Sequence, residues 1–322
     1  MSVHTEGASA LKWFGGGDEA KVGVSPSERD PAFIQSTWKK ISRFFGAGKY
    51  FDVRVDGWEH VPDDPCLWVS NHSGGTIIPD VWGFGYAWVE HFGTQRPVHP
   101  LAHDMIFALP QVGRTFGRMG VLRASSQRAY KTLTDWKRDV LVMPGGDMDV
   151  WRPHRERYRL HFAGRKGYAR LALQAGRPVM PVANAGAHDT LYVLSDGKRI
   201  ARRLHLDDLF RAHIFPLSLS FPWGLAIGPL PHIPPPSKLR YKLGTPILPD
   251  PRWTGRDDIP DEAVRDFDAK VQAAVQGLLD ALKEEEPPLS HKVVHIRRTV
   301  GSMVRSGLQR SRRRRQDLRA AG

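Results

Sequence analysis

The clearest chemical potential lies in one run of residues, LWVSNHSGGTIIPD at 67–80. Leu67–Ser70 read as the end of a buried strand, which releases Asn71 and His72 into a loop of small residues. Open α/β sheets gather their ligand sites outside the carboxyl ends of the strands, so His72 is expected at that edge. A neutral imidazole near pH 7 is suited to taking a proton from a hydroxyl. It needs an acidic partner to fix its tautomer and to stabilise the imidazolium, and Asp80 is the nearest candidate. Asn71, Ser73, Gly74 and Gly75 complete the candidate pocket, because small residues let a substrate approach the ring. Taken alone the pattern is weak, since a solitary histidine is more often structural.

Two further groups carry chemistry of their own. In Pro144-Gly145-Gly146-Asp147-Met148-Asp149, adjacent glycines permit a tight turn whose backbone amides face a developing oxyanion. Such a turn equally serves to join a strand to a helix. Asp147 and Asp149 are two more acids able to approach His72 in space. Arg165 and Lys166 open an amphipathic helix, where a basic pair opposes the helix dipole. That placement makes sense if the pair meets the phosphates of a ligand, and equally if it is only a solvated turn. Cys66 sits in an apolar strand and is read as a small hydrophobe. No cluster has zinc spacing, and no Gly-x-x-x-x-Gly-Lys loop occurs.

Short strands alternating with helices must position these groups. Strands are expected at 51–55, 66–70, 140–144 and 177–184, and helices at 125–138, 166–176 and 261–283. This alternation predicts an α/β fold with a central, mostly parallel sheet flanked by helices. Residues 1–30, rich in Gly, Ser and charge, are expected to be disordered; 31–286 form the single domain, and 287–322 a basic tail. A basic amphipathic helix from Phe33 to Phe45 fits either the core or a membrane face.

The formal net charge is +13, with 41% hydrophobic and 25% charged residues. Ten bases against one acid, Asp317, place +9 of it in residues 287–322, leaving 13 − 9 = +4 for the body. Leu289, Val293, Ile296, Val300, Met303, Val304 and Leu308 recur in the tail at three- and four-residue steps, ahead of SRRRRQ at 311–316. This pattern predicts attachment to an anionic bilayer rather than to nucleic acid. Prolines interrupt the apolar stretch 212–237, which is read as buried or interfacial rather than membrane-spanning. The N-terminus lacks the apolar run of a signal peptide.

Four ordered blocks give these readings a common frame: GWEHVPDDPCLWVSNHSGG (57–75), MGVLRAS (119–125), VMPGGDMDVWRP (142–153) and GRKGYARLALQAGRPVMPVANAGAHDTL (164–191). Together with FPWGLAIGPLPHIPPPSKLRYKLGTPI (221–247), they resemble the glycerolipid acyltransferase superfamily, particularly its monoacylglycerol/diacylglycerol acyltransferase-like branch. The resemblance implies that His72 is the general base with an acid beside it. The commonest pattern puts that acid five residues on, where this chain has Ile77, so Asp80 implies a longer loop. Arg123 matches the segment whose arginine holds the acceptor's polar group. The Gly145-Gly146 pair replaces a Glu-Gly of phosphate-handling relatives, which disfavours a lysophosphatidic acid acceptor.

The resemblance and the basic tail together imply a membrane-surface enzyme moving a fatty acyl group from acyl-CoA or an acyl carrier protein to a lipid hydroxyl. It would need no bound cofactor and no metal, and would sit on the cytoplasmic face of a membrane. A lipid esterase is the second reading, since the same base activates water, although no Gly-x-Ser-x-Gly elbow is present. A non-catalytic lipid- or nucleic-acid-binding protein on the same frame is the third.

Overall fold

Runs of apolar residues separated by Gly and Pro fold into the expected alternation. The computed structural model describes residues 22–198 and 215–286, with the tail positions 296, 299, 301, 302 and 305. In chain order, α1 (Pro31–Ile41) precedes β1 (Phe51–Asp56), β2 (Leu67–Ser70), α2 (Pro79–Phe92) and β3 (Val98–Ala102). Then come α3 (Asp104–Phe107), α4 (Pro110–Arg118), β4 (Leu122–Arg123), α5 (Ser126–Thr134), β5 (Asp139–Val142) and α6 (Asp147–Val150). The chain continues through α7 (Gly167–Ala175), β6 (Val179–Ala185), β7 (Tyr192–Ser195), β8 (Leu217–Ser220), β9 (Gly224–Ile227), β10 (Ser237–Leu243) and α8 (Asp261–Glu284).

Seven strands form the main sheet in the order β1-β10-β6-β2-β5-β3-β4. Every neighbouring pair is parallel except β10 and β6. The sheet is covered on both faces, as parallel sheets require. Trp68, Met180, Val182, Leu239 and Tyr241 pack toward Phe84 and Trp88 of α2. From the other face, Leu67, Val69, Val140 and Val179 meet Leu133 of α5, Leu171 of α7 and Val271 of α8. Strand β2 thus alternates Leu67 and Val69 with Trp68, a period of two with both faces buried. A second sheet, β7-β8-β9, is antiparallel.

Helix α1 answers the question its sequence left open. Asp30 caps it by accepting from the Phe33 N–H at 2.9 Å, and Pro31 stands at N1, a good start signal. Ile34 and Trp38 are buried, Trp38 lying edge-on to Trp82 and Tyr86 of α2. The helix packs on the body, with Lys39 and Lys40 exposed. Its end at Ile41, short of Phe45, leaves Phe45 to stack on Phe51.

One expectation is corrected. Residues 22–30, assigned to a disordered N-terminus, are folded against the body. Glu28 accepts from the N–H groups of Gly23, Val24 and Ser25, and the Arg123 N–H donates to the Gly23 carbonyl at 2.7 Å. The reason is local: a capping box at Ser25 and Glu28 satisfies donors that would otherwise seek water. Residues 1–21 lie outside the described residues, as does most of the tail, whose described positions are helical. No helix among the described residues is long and apolar enough to cross a membrane.

Candidate active site

Strand β2 ends at Ser70, and the chain beyond it is fixed from behind by a buried polar lattice. Asn71 donates from Nδ2 to the Asn184 carbonyl at 2.9 Å and accepts the Asn184 N–H at 2.8 Å. Asn184 Nδ2 returns a bond to the Asn71 carbonyl at 2.6 Å, and Ser73 Oγ donates to Asn184 Oδ1 at 3.0 Å. Asn71 and Ser73 are completely buried. The sequence offered both as substrate contacts; the structure makes them scaffold, because their polar groups are spent on β6.

His72 points out of this lattice. Its Nδ1 lies 2.7 Å from Asp80 Oδ2, with 16% of the histidine side chain exposed and none of the aspartate. The same Asp80 oxygen accepts the Ser73 N–H at 2.8 Å, and Oδ1 accepts the Val81 N–H at 2.8 Å. A carboxylate surrounded by donors favours the tautomer with hydrogen on Nδ1, leaving Nε2 as the acceptor toward solvent. Burial lowers the proton affinity of the His72 ring, but the Asp80 charge and hydrogen bond, joined by Asp149, outweigh it and leave the pKa raised.

How Asp80 arrives eight residues after the histidine is visible in the backbone. A single 3₁₀ turn, Gly75–Ile77, takes up the extra length. Ile78 follows in the left-handed region (φ 44°, ψ 53°), capping α2. A β-branched residue there is an outlier costing on the order of 1–3 kcal/mol. The turn it makes starts α2 at Pro79 and puts Asp80 in the first helical turn, beside the dipole's positive end. Ile77 occupies the commoner acid position and has none of the chemistry.

The glycines serve packing rather than substrate approach. Gly74 (φ 98°) and Gly75 (φ 66°) take left-handed conformations, and a Cβ on them would run into Pro79 and Leu191 respectively.

Asp149 also reaches His72, but from the backbone side. Its Oδ2 accepts the His72 N–H at 2.6 Å, and Oδ1 pairs with Arg152 Nη1. Both side chains are buried. Desolvation raises the Asp149 pKa against the pull of Arg152. Asp149 was expected among the substrate contacts; its buried pairing instead makes it a brace for the loop that carries His72. Arg152 also contacts His188 Nε2 at 3.3 Å. Burial and the Arg152 charge push His188 well below its usual range, so it stays neutral.

The remaining expected contacts are spread apart. Arg165 Nη1 donates to the Pro144 and Gly145 carbonyls at 3.0 Å, and Nη2 to Asp147 at 3.1 Å. The guanidinium therefore clamps the Gly145-Gly146 turn; Gly146 (φ 52°) has no room for a Cβ beside it. The Gly146 N–H itself donates to the Met143 carbonyl at 3.1 Å, which uses up one amide proposed for an oxyanion. Lys166 diverges toward α8, lining a small cleft with Arg170 and Asp261. Arg123 lies on edge strand β4, three strands from β2. Its Nε donates to the Val22 carbonyl at 2.8 Å, Nη1 to Asp104 at 3.3 Å, and its cation lies over Phe107. The guanidinium is thus engaged with the N-terminal segment and with Asp104.

Cys66 is buried, and burial with the nearby Asp139 charge pushes its thiol up to about 12. A broad cavity of about 1270 Å³ lies off the site, lined by Arg54, Arg157, Lys238, Arg240, Lys242 and others. Four of its bases are paired with acids: Arg54 with Asp56 at 2.9 Å, Arg157 with Glu286 at 3.1 Å, Arg240 with Asp52 at 2.9 Å and Lys242 with Glu285 at 2.7 Å.

Sequence reasoning missed Asn184, Arg152 and Tyr241. Arg152 was legible as the i+3 partner of Asp149. Asn184, a polar residue ending an apolar strand, needed a partner if buried. Tyr241, whose hydroxyl donates to the Asp80 carbonyl at 2.7 Å, comes from a distant strand and gave no sign.

Fold and site together define an α/β domain whose histidine–aspartate pair stands at the carboxyl edge of its sheet. Residues 52–185 match the family model described as Acyltransferase. An uncharacterised protein of Mycobacterium tuberculosis strain H37Rv is 32% identical over 220 residues, covering 68% of this chain and 58% of that relative. The chain therefore matches little more than half the length of that relative. The "DGAT1/2-independent enzyme synthesizing storage lipids" of Gallus gallus is 24% identical over 74% of this chain and 63% of its own. The crystal structure of the 1-acyl-sn-glycerophosphate (LPA) acyltransferase PlsC from Thermotoga maritima aligns with a TM-score of 0.42 and 17% identity, covering 76% of this chain and 81% of that one. Residues 52–185 of the chain thus form a domain of the Acyltransferase family.

Proposed function

We propose that the protein transfers a fatty acyl group from an acyl thioester to the hydroxyl of a glycerolipid. The observation that carries this is the 2.7 Å contact between His72 Nδ1 and the buried carboxylate of Asp80. His72 Nε2 takes the acceptor's hydroxyl proton as the oxygen attacks the thioester carbonyl. A new C–O bond forms, the C–S bond breaks, and the imidazolium returns the proton to the departing thiolate. Asp80 holds the ring and stabilises its charge without itself taking the proton.

An uncharged acceptor, monoacylglycerol or diacylglycerol, suits this chain better than a lysophospholipid. Arg123 is tied to Val22 and Asp104, and Arg165 to the Gly145-Gly146 turn, so neither guanidinium stands ready for a phosphate. The likeness to the storage-lipid enzyme supports the same choice. The donor is acyl-CoA or an acyl carrier protein. The +9 tail supports peripheral attachment to an anionic, cytoplasmic membrane face.

The test is radiolabelled acyl-CoA and acyl carrier protein offered with monoacylglycerol, diacylglycerol and lysophosphatidic acid in detergent. The expected product is a new neutral-lipid ester, lost in His72→Ala. Release of free fatty acid alone would make the protein an esterase. Absence of both products across the panel would remove the catalytic reading.

A further inference from the structure

The small sheet β7-β8-β9 is inside out for a protein surrounded by water. Register pairs Val193 with Ser218 and Ser218 with Ala226, and these three are buried on one face. On the opposite face Tyr192 pairs with Leu219 and Leu219 with Leu225, beside Ile227. All four are exposed, Leu225 by 60%. A solvated sheet face normally alternates to polar residues; this one is apolar except at Ser195, which pairs with Leu217 at its end. The turn joining β8 to β9 adds Phe221 and Trp223, 66% and 52% exposed.

We infer that this sheet is a bilayer-docking surface, with Phe221 and Trp223 entering the headgroup–acyl boundary. Three observations select a bilayer as the occupant. Residues 215–237 contain no Lys, Arg, Asp or Glu, so nothing charged is carried into the apolar layer. Two polar groups of the tip are internally paired: Trp223 Nε1 donates to the Pro231 carbonyl at 2.6 Å and the Ile233 N–H to the Phe221 carbonyl at 2.9 Å. Satisfied backbone is what an apolar medium demands, and aromatic rings with a polar handle favour the interface. In sequence, the span from Asp196 to Lys238 also carries six bases against three acids, a net positive balance that favours anionic headgroups.

The surface adjoins the candidate site. Val193 packs in one cluster with Trp151 and Leu191, and Leu191 lies against Gly75, three residues after His72. Thr76 Oγ1 contacts the Pro229 and Leu230 carbonyls at 3.3 Å. Docking through this sheet sets the His72 loop against the lipid layer. In that respect the inference rests on the proposed lipid acceptor; membrane docking itself is tested separately.

The experiment floats the full chain with vesicles of equal parts phosphatidylcholine and phosphatidylglycerol. About 1 M salt shortens the Debye length to about 3 Å and screens the basic tail. Under those conditions the Phe221→Asp/Trp223→Asp variant should lose at least about tenfold in partitioning, while Phe221→Leu/Trp223→Leu retains most of it. As a second readout, brominated lipid should quench wild-type tryptophan fluorescence, and Trp223→Phe should remove much of that quenching. Flotation of the aspartate variant equal to wild type, or undiminished quenching in Trp223→Phe, overturns the inference. So does a wild-type dimer that the aspartate variant dissociates while flotation is unchanged, since the face then belongs to a second copy. His72→Ala should float as wild type. Normal flotation of the wild type without acyl transfer would defeat the enzymatic reading and leave the docking surface standing.

Discussion

Replacing Asp80 by Asn is the sharpest test of the histidine–aspartate pair, because it removes a charge with almost no change in shape. Every polar contact of the Asp80 carboxylate is a donor: His72 Nδ1–H and Ser73 N–H on Oδ2, Val81 N–H on Oδ1. An amide supplies one acceptor oxygen, so its NH₂ must face at least one N–H. Turning the oxygen toward His72 and Ser73 sacrifices only the Val81 bond and is the better choice. The ring then keeps a neutral hydrogen bond but loses the charge that stabilises imidazolium, a difference of about 1.5–3 kcal/mol. At 1.36 kcal/mol per decade, kcat should fall about tenfold to about 150-fold, and further if the ring adopts the wrong tautomer. The pH profile gives an independent readout. Asp80 and Asp149 raise the His72 pKa, so the active neutral base accumulates only above the ordinary value of about 6.5. In Asp80→Asn the acid limb of kcat should move to lower pH. The same raised pKa implies folding stability that is full below about pH 6.5 and lost as pH rises through the folded-state value. A folded Asp80→Asn protein retaining most of its kcat, with an unmoved acid limb, would refute this reasoning.

Asp149→Ala should destabilise the fold by about 3–5 kcal/mol, because it strands Arg152 as an unpaired buried charge; urea unfolding measures this, and a loss under about 1 kcal/mol would mean the pair is solvated. Arg123→Ala should cost about 1–2 kcal/mol of stability through the lost Val22 and Asp104 contacts. It should also change kcat/KM equally for phosphate-bearing and uncharged acceptors; a selective loss on the phosphate-bearing one restores the acceptor-holding role. Gly75→Ala should cost about 1–3 kcal/mol and depress kcat, since its φ of 66° and the Leu191 contact displace the His72 loop. An unchanged thermal midpoint and kcat would contradict that.

Strand and helix identities were legible because both faces of the central strands are buried, which turns 66–70, 140–144 and 177–184 into apolar-rich runs, while the edge strand at 51–55 alternates Phe51, Val53 and Val55 with Asp52 and Arg54. Boundaries moved where capping geometry decided them: α7 stops before Gly176 in the left-handed region, and α5 stops at Thr134, with Lys137 taking φ 49° just beyond. At the site, His72 and Asp80 were readable because strand, loop and helix start are contiguous in the chain. What sequence could not supply was direction. Asn71 and His72 are neighbours, yet alternation along an extended chain turns one into the β6 lattice and the other outward. Arg123 and Arg165 carry the right functional group, but their guanidiniums are spent on carbonyls of chain segments that no local pattern brings near. The exposed face of β7-β8-β9 was hidden for a similar reason: an apolar stretch reads alike whether its partner is a core or a bilayer.

The arrangement around His72 constrains where specificity can come from. Behind the imidazole, Asn71, Ser73 and Asn184 form one buried, bonded set and Asp149 with Arg152 another, held to the His72 N–H, so no substrate reaches them without dismantling the fold. Below it, Asp80 is enclosed by Ser73, Val81 and Tyr241. The accessible part of the pair is the outer edge of the ring, which distinguishes one hydroxyl from another only by how that hydroxyl is delivered. Selection must then reside in the surfaces flanking that edge. One of these is the turn clamped by Arg165, and the other is the apolar sheet anchored through Leu191 and Val193. An acceptor held mainly by apolar contact on an open surface, rather than in a closed pocket that fits each methylene, is discriminated weakly by size. The expected enzyme is therefore tolerant of acyl-chain length in its acceptor and strict about whether that acceptor lies in a lipid layer.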